Sequence, residues 1–127
     1  MSSNSKPTDI IQLIEKAKRR FPEGVIGTFQ IPIKASGSLR GITYLNSDVD
    51  YRDPKNITVE IAPSVRELFR KTYGSLPVSY FIDKTIKVRG KVERIKISVY
   101  EDGKRSRKYY YQTHIKVTSL DQIKVLS

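Results

Sequence analysis

The residues of this chain that could do chemistry are mainly cations, and they are concentrated in one segment. The chain has 127 residues with 24 Lys and Arg against 13 Asp and Glu, which gives a net charge of +11. Eleven of these cations and only three of the carboxylates lie between Lys84 and Lys116, so this segment carries +8 of the charge. Clustered cations bind phosphate groups and release their counterions. The pattern favours a polyanion-binding surface, and its alternative is a solvated strand face protected against aggregation.

Aromatic residues accompany these cations, since the chain has eight Tyr and no Trp. In proteins that bind single-stranded nucleic acid, bases stack on exposed rings beside a basic groove, and each ring contributes about 1 to 3 kcal/mol. Tyr110 is predicted on the outward side of a basic strand, and Tyr51 lies in a loop beside Arg52 and Lys55. These two tyrosines are the best candidates for stacking, and a half-buried ring with a wet hydroxyl is the alternative for each. Three other tyrosines are expected in the core: Tyr44, Tyr109 and Tyr111.

Enzymatic chemistry has little support in the sequence. Asp48, Asp50 and Asp53 could form a metal loop and make the protein a divalent-metal nuclease, but the loop does not match the calcium-binding pattern. The simpler interpretation is that these carboxylates accept hydrogen bonds from turn amides and that Asp50 or Asp53 pairs with Arg52. His114 is the only histidine and is expected to be exposed on a strand, and the chain has no Cys to supply a thiolate or a metal ligand. We therefore expect a non-enzymatic protein without a metal or cofactor.

These residues must be positioned by helices and strands that the apolar pattern predicts. Residues 1–8 are polar and include a proline, so we expect a flexible tail. Residues 9–21 are expected to form an amphipathic helix, because apolar residues recur there at the three-four spacing of one helical face. A second helix is predicted at 64–74, with Ser64 and Glu67 at the spacing of a capping box and Gly74 at its end.

Apolar residues at every second position predict five strands, at 25–34, 39–46, 57–61, 86–99 and 109–117. Residues 35–38 are expected to be a turn between the first two strands, and the Asp-Gly sequence at 102–103 predicts a hairpin between the last two. In the fourth strand the apolar positions change from even numbers, up to Val92, to odd numbers from Ile95. This change of phase predicts a bulge or a sharp bend between them.

Three segments carry a resemblance to a known family: TYLNSDVDYRDPKNITVEI, FIDKTIKVRGKVERI and YYQTHIKVTSLDQIKVL. They resemble bacterial OB-fold nucleic-acid-binding domains of the tRNA-anticodon-binding kind, although Asp83 replaces the first glycine in the GKxIxVxGxV rhythm of the fourth strand. The strand order and the resemblance imply a mainly β, five-stranded OB-fold Greek-key barrel, with a helix between strands 3 and 4 and an extra N-terminal amphipathic helix. We expect a single OB-fold domain over residues 9–127, with its barrel at 24–126.

The function that the charge pattern and the resemblance imply is binding of single-stranded nucleic acid, or structured RNA, by a basic hairpin and exposed tyrosines. Two alternatives stay open, the metal nuclease and a protein-interaction module that uses the 10–21 helix or the face of strands 2 and 3. The candidate nucleic-acid-binding residues are Arg40, Tyr51, Arg52, Lys55, Lys87, Arg89, Lys104, Arg105, Arg107, Lys108, Tyr110 and Lys116.

One feature of the predicted strands conflicts with that function. The ligand of an OB fold usually crosses strands 2 and 3. The residues expected to face outward there are Thr43, Leu45, Thr58 and Glu60, with only Arg40 nearby. Because Glu60 would repel phosphate, we expect either a ligand path displaced toward the basic hairpin or a protein partner on strands 2 and 3.

The sequence has neither an apolar run long enough to span a membrane nor, at its N-terminus, the apolar core of a signal peptide. We therefore expect a cytoplasmic protein. A processed exported protein, or a piece of a larger one, is the alternative, and its basic surface would then meet anionic lipid or polysaccharide.

Overall fold

A computed structural model describes residues 8–126 of the chain. The helices are α1 (Ile10–Arg19), α2 (Pro63–Tyr73) and α3 (Pro77–Tyr80). The strands are β1 (Val25–Pro32), β2 (Ala35–Leu39), β3 (Ile42–Asn46), β4 (Ile57–Ile61), β5 (Thr85–Glu101), β6 (Lys104–Val117) and β7 (Ile123–Val125), with a 3₁₀ turn at Leu120–Gln122. The predicted mainly β class is confirmed, and α2 lies between the predicted third and fourth strands. The tail predicted at 1–8 falls outside the described residues except for Thr8, whose hydroxyl accepts a hydrogen bond from the backbone N–H of Gln30 at 2.8 Å.

The strands form one curled sheet in the order β1-β5-β6-β4-β3-β2, and β7 pairs with β5. The β4 and β6 strands are parallel, whereas the other paired strands are antiparallel. Only Ile33 and Lys34 separate β1 from β2 along the chain, yet these strands lie at opposite ends of the sheet order. The sheet must therefore curl to bring its two ends together, as it does in a small barrel.

The prediction of five strands is wrong, because the described residues contain seven. The predicted turn at 35–38 is part of β2, which pairs with β3 from Ala35 opposite Asn46 to Leu39 opposite Ile42. The chain reverses at Arg40 and Gly41 instead, whose φ angles are 54° and 83°. Short polar residues can occupy an edge strand when a neighbour satisfies them, and the Ser36 hydroxyl donates to the backbone oxygen of Val78.

The bulge predicted between Val92 and Ile95 is also absent. The pairing of β5 with β6 runs in unbroken register from Val92 to Ser98, and the irregularity lies between Ser98 and Tyr100. Since the strand is continuous, Val92 and Ile95 point to opposite faces of the sheet. The change of apolar phase thus marks the place where β5 leaves the core.

The core lies on one face of the sheet and is closed by the helices. From the strands it takes Leu45, Val59, Val88 and Ile115, each fully buried, among others. The helix α1, with Asp9 as its N-cap, adds Leu13 and Ala17, and α2 adds Val65 and Phe69.

The second helix begins differently from the prediction. Pro63 is its first residue and Ala62 its N-cap without a side-chain hydrogen bond, so the capping box of Ser64 and Glu67 does not form. Gly74 ends the helix in the left-handed conformation, as predicted, with φ at 75°. In the described part of the chain, no helix has the length and apolar character that crossing a membrane requires.

Candidate nucleic-acid interface

An open groove of about 730 Å³ lies on the face of the sheet opposite the core. Its floor comes from β3, β4 and the last part of β6, which are central in the sheet order. Its two walls come from β2 and from β5 with the first part of β6. The loop at 47–56 adds Val49 and Tyr51 to the lining. The groove therefore crosses the strands that correspond to strands 2 and 3 of the predicted barrel, and it continues to the base of the basic hairpin.

Strand alternation decides which side chains face the groove. On β3, Tyr44 and Asn46 line it, while Thr43 and Leu45 are fully buried on the other side. The expectation that Thr43 and Leu45 face outward is therefore wrong, and so is the core position expected for Tyr44. The reason is the partner strand, because the pairing of Leu45 with Val59 places both on the core face.

A chain of hydrogen bonds crosses the groove floor. His114 Nδ1 lies 3.2 Å from Glu60 Oε2, and His114 Nε2 lies 2.7 Å from Gln112 Oε1. The Gln112 amide in turn donates to the Tyr110 hydroxyl at 3.0 Å. Both ring nitrogens of His114 thus face side-chain oxygens, one of Glu60 and one of Gln112. His114 is 6% exposed, and the expectation of an exposed histidine is wrong.

These contacts remove the conflict that Glu60 posed for a phosphate ligand. The hydrogen bond with His114, together with the attraction of His114 and Lys116, lowers the pKa of Glu60 below its ordinary value of 4.5, against the opposing effect of burial. The carboxylate is therefore ionised at neutral pH, but its charge is directed at His114 rather than free in the groove. Burial raises the pKa of Tyr44, helped by Glu60 and opposed by Arg40, so its phenol stays neutral.

A second network fixes the loop that carries Tyr51. The Asn56 amide nitrogen donates to Asn46 Oδ1 at 3.1 Å, to Thr58 Oγ1 at 3.0 Å and to the backbone oxygen of Tyr51 at 3.2 Å. The Thr58 hydroxyl also donates to Asn46 Oδ1, at 2.7 Å. Sequence reasoning missed both asparagines. Their only signal was their position at the two ends of the polar loop, where amide side chains commonly bond to turn backbone.

The aspartates of this loop have structural contacts. One carboxylate oxygen of each accepts a backbone N–H two residues further on: Asp48 from Asp50, Asp50 from Arg52 and Asp53 from Lys55, at 2.8 to 3.0 Å. These are the turn contacts of the simpler interpretation. Within residues 8–126, no three His, Cys, Asp or Glu residues are grouped to hold a metal ion.

Arg52 has a different partner from the expected aspartate. Its Nε donates to the Tyr51 hydroxyl at 3.0 Å, and its guanidinium carbon lies 5.3 Å from the centroid of that ring. This hydrogen bond is the main cause that raises the pKa of Arg52, and Tyr110 contributes electrostatically. Arg52 is therefore a permanent cation held beside the Tyr51 ring.

The structure brings some predicted site residues together and separates others. Tyr51, Tyr110 and Lys116 line the groove, and Arg40 and Arg52 act electrostatically on its tyrosines. Lys55 is exposed on the same loop as Tyr51 but does not line the groove.

The remaining predicted cations lie on β5 and at the hairpin, outside the groove lining. Lys87 is opposite Lys124 of β7, and Arg89 forms an ion pair with Asp121 at 3.4 Å. The four hairpin cations, Lys104, Arg105, Arg107 and Lys108, are exposed beyond the groove, and Lys108 lies 3.9 Å from Glu101.

The tyrosines expected in the core next to Tyr110 are not buried. Tyr109 is 53% exposed, and Tyr111 is half-buried. Both lie on the opposite face of β6 from Tyr110, as strand alternation requires. At this point β6 has left the core, so neither face of the strand is covered.

No protein-family profile matches the sequence, and no curated protein matches it. The structure is similar to that of an aspartyl tRNA synthetase from Entamoeba histolytica, with a TM-score of 0.53 and 13% sequence identity. The similarity covers 96% of this chain and 21% of that chain, so this protein spans about a fifth of that length. At this identity it concerns the fold alone, and it supports an OB-like barrel without supporting the bacterial assignment.

Proposed function

We propose that this protein is a non-enzymatic, OB-like module that binds single-stranded nucleic acid in the groove. Bases stack on Tyr110 and Tyr51, and phosphates bind Arg52, Lys116 and Arg40. The observation that supports this most directly is that Tyr51, Tyr110 and Lys116 line one open groove, with Arg52 hydrogen-bonded to the Tyr51 hydroxyl beside it. The structural similarity to a protein named for tRNA agrees with this class of ligand.

The charges around the groove suit a phosphate ligand. Within residues 8–126, neither Arg40, Arg52 nor Lys116 forms an ion pair, so each can accept a phosphate without giving up a carboxylate partner. Glu60 is bonded to His114 and adds little repulsion. Each phosphate neutralised on a single strand steepens the salt dependence of log K by about 0.7.

The stacking positions are held in place before a ligand arrives. The Tyr110 hydroxyl accepts from Gln112, and the loop of Tyr51 is fixed by Asn56. Positions that are already ordered lose less conformational entropy on binding. With about 1 to 3 kcal/mol for each stacked base, two rings are a substantial part of a micromolar affinity.

The test is fluorescence anisotropy with labelled oligo(dT) and oligo(U) at low and at physiological salt. We expect Tyr110→Ala to weaken binding by about 5-fold to 160-fold, the range that corresponds to one stacked base. Tyr110→Phe is the matched control, because it keeps the ring and should bind nearly as tightly as the wild type. Absence of salt-sensitive binding by the wild type in the micromolar range, or full affinity of Tyr110→Ala, would contradict the proposal.

A second candidate is a protein-interaction module. Leu39 and Val49 border the groove and are 62% and 76% exposed, so the groove also offers apolar contacts. Binding of a protein partner through these residues would depend little on salt. The same titrations separate the two functions, and an oligonucleotide that stays intact after incubation with Mg²⁺ would speak against a nuclease.

A further inference from the structure

The last part of β5 and the first part of β6 form a two-stranded arm that has no buried core of its own. Among the described residues, 93–101 pair only with β6 and 104–112 pair only with β5, and a short turn joins the two segments. None of these residues is buried. Both faces of this arm, residues 93–112, are therefore accessible, and the groove accounts for only one of them.

The second face carries alternating cations and aromatic rings. The guanidinium carbon of Arg94 lies 3.6 Å from the centroid of Tyr111, and Lys96 Nζ lies 4.3 Å from the centroid of Tyr109. Phe21, which follows α1, extends the row, with its centroid 6.3 Å from that of Tyr111 and 5.8 Å from the Arg94 guanidinium. We call these five residues the outer ladder.

The cations of the outer ladder are held in place but not neutralised. Neither Arg94 nor Lys96 forms an ion pair in the part of the chain that the structure describes. A guanidinium stacked on a ring keeps its N–H donors free at its edge, where they can bind phosphate. The ladder also has accessible rings, since Tyr109 is 53% and Phe21 48% exposed.

Cation–π contacts at exposed sites contribute little to folding, so stability alone gives a weak reason for this arrangement. A row of ordered cations beside exposed rings has the chemistry that binds single-stranded nucleic acid, namely phosphate contacts and stacking. The hairpin cations at 104–108 lie at the end of the arm, where its two faces meet. They are exposed and, apart from Lys108 at 3.9 Å from Glu101, form no ion pair among the described residues.

We propose that the outer ladder is a second binding track for single-stranded nucleic acid, and that a strand bound in the groove continues around the arm onto it. This inference rests on the proposed function for the groove and adds a prediction about ligand length. A short oligonucleotide fills the groove alone. A longer one also contacts Arg94, Lys96 and the rings beside them, and it binds more tightly.

The experiment compares a 5-nucleotide and a 20-nucleotide oligo(dT) by anisotropy over a range of salt concentrations. Arg94→Gln with Lys96→Gln removes two ladder charges, and Lys16→Gln with Lys18→Gln removes two exposed charges of α1 as the matched control. For the 20-nucleotide ligand we expect the ladder variant to bind about 10-fold more weakly and its salt slope to fall by about 1.4, the value for two phosphates. Neither the control variant nor the shorter ligand should show this change.

The outcomes distinguish the two proposals. If the ladder variant binds the longer ligand as tightly as the α1 variant does, the outer ladder is not a track, whatever the groove does. If binding depends on the ladder but not on Tyr110, the groove proposal fails and with it the continuous path, and the outer ladder is a binding site by itself. If the wild type binds neither ligand, both fail. Photocrosslinking with 5-iodouracil gives a readout independent of stability, and crosslinks to Tyr110 or Tyr51 without any to Tyr109 or Tyr111 would overturn the inference.

Discussion

Two buried threonines on neighbouring strands differ in how their hydroxyls are satisfied. Thr43 is fully buried, and its Oγ1 has no hydrogen-bond partner among the described residues. Thr58 is 3% exposed, and its hydroxyl donates to Asn46 and accepts from Asn56. An unsatisfied buried hydroxyl costs free energy, whereas a satisfied one stabilises its network.

We therefore expect opposite results from the same substitution at these sites. Thr43→Val replaces the unpaired hydroxyl with a methyl group of similar size and should leave the free energy of unfolding unchanged or raise it by about 1 kcal/mol. Thr58→Val should lower it by about 1 to 3 kcal/mol, because it removes one hydrogen bond from each of two buried amides, those of Asn46 and Asn56. Urea denaturation of both variants measures the difference, and an equal decrease in both would show that Thr43 has an unrecognised partner.

The contact between Glu60 and His114 predicts a pH dependence of stability. The pKa of Glu60 is lowered in the folded state, chiefly by its hydrogen bond with His114, so its contribution is fully present above the ordinary value of 4.5. It is lost as the pH falls through the lowered folded-state pKa. We expect Glu60→Gln to cost about 1 to 2 kcal/mol at pH 7, and the difference from the wild type should shrink below about pH 4.

Urea titrations at pH 7, pH 5 and pH 3 test this prediction. Glu67→Gln is the control, since Glu67 is an exposed carboxylate that pairs with Arg66 and Arg70 on the surface of α2. Such exposed pairs contribute little. A Glu60→Gln effect that stays constant from pH 7 to pH 3 would mean that altered packing, and not the carboxylate charge, causes it.

At the scale of elements, β5 shows how one strand serves two environments. Its first half pairs with β1 and buries Val88 and Val92 in the core. Beyond Val92 the strand leaves the core, and Ile95 and Ile97 line the groove on the opposite face. The apolar residues Ile95 and Ile97 thus line the groove, so the changed phase of the apolar pattern in the second half of β5 reflects the groove and not the core.

The connection between α1 and β1 contains a glycine that lies very close to the backbone of β5. Gly24 has a φ of +78°, and an added Cβ would lie 2.6 Å from the backbone oxygen of Val92. Gly74, at the end of α2, has a similar φ of +75° with nothing within 4 Å of the same position. The two sites therefore share the left-handed backbone conformation, but only Gly24 lies against a neighbouring strand.

Substitution by alanine separates these two effects. Gly74→Ala should lower the free energy of unfolding by about 1 kcal/mol, the cost of a left-handed residue with a side chain. Gly24→Ala should lower it by about 3 kcal/mol or more, because β1 and β5 must also move apart. Thermal unfolding followed by circular dichroism measures both, and equal costs would contradict a close approach at Gly24.

At the scale of the whole molecule, the charge is placed away from the core. The segment 84–116, with +8 of the net +11, contains the arm and its hairpin, and the cations there are exposed or half-buried. Such a distribution attracts a polyanion from a distance and opposes folding little, since the like charges are spread along the whole length of β5 and β6.

Neutralising the hairpin tests the role of this charge. Changing Lys104, Arg105, Arg107 and Lys108 to Gln should lower the slope of log K against log salt by up to about 2.8, because each phosphate that is no longer neutralised accounts for about 0.7. The unfolding temperature should change little, since all four side chains are exposed. Anisotropy titrations between about 50 and 300 mM NaCl test this prediction. An unchanged slope would mean that the phosphate-binding residues lie elsewhere.

Features that depend on a few neighbouring residues were determined by the sequence itself. These are the mainly β class, the positions of α1 and α2, the Gly74 helix end, the Asp-Gly hairpin and the location of the charge. Periodicity, capping and turn chemistry act over a few residues, so a single sequence carries them.

Only the tertiary structure decided which face of each strand is covered and by what. It turned Tyr44 toward the groove, left Tyr109 exposed, placed His114 against Glu60 and made residues 35–38 a strand. The physical reason is that these outcomes depend on strand partners distant in sequence, and a shift of one residue in pairing moves every side chain to the other face. The sequence therefore determined where the cations are concentrated, and the folded sheet decided which candidate residues share a groove and which further cations and rings lie together on the arm's other face.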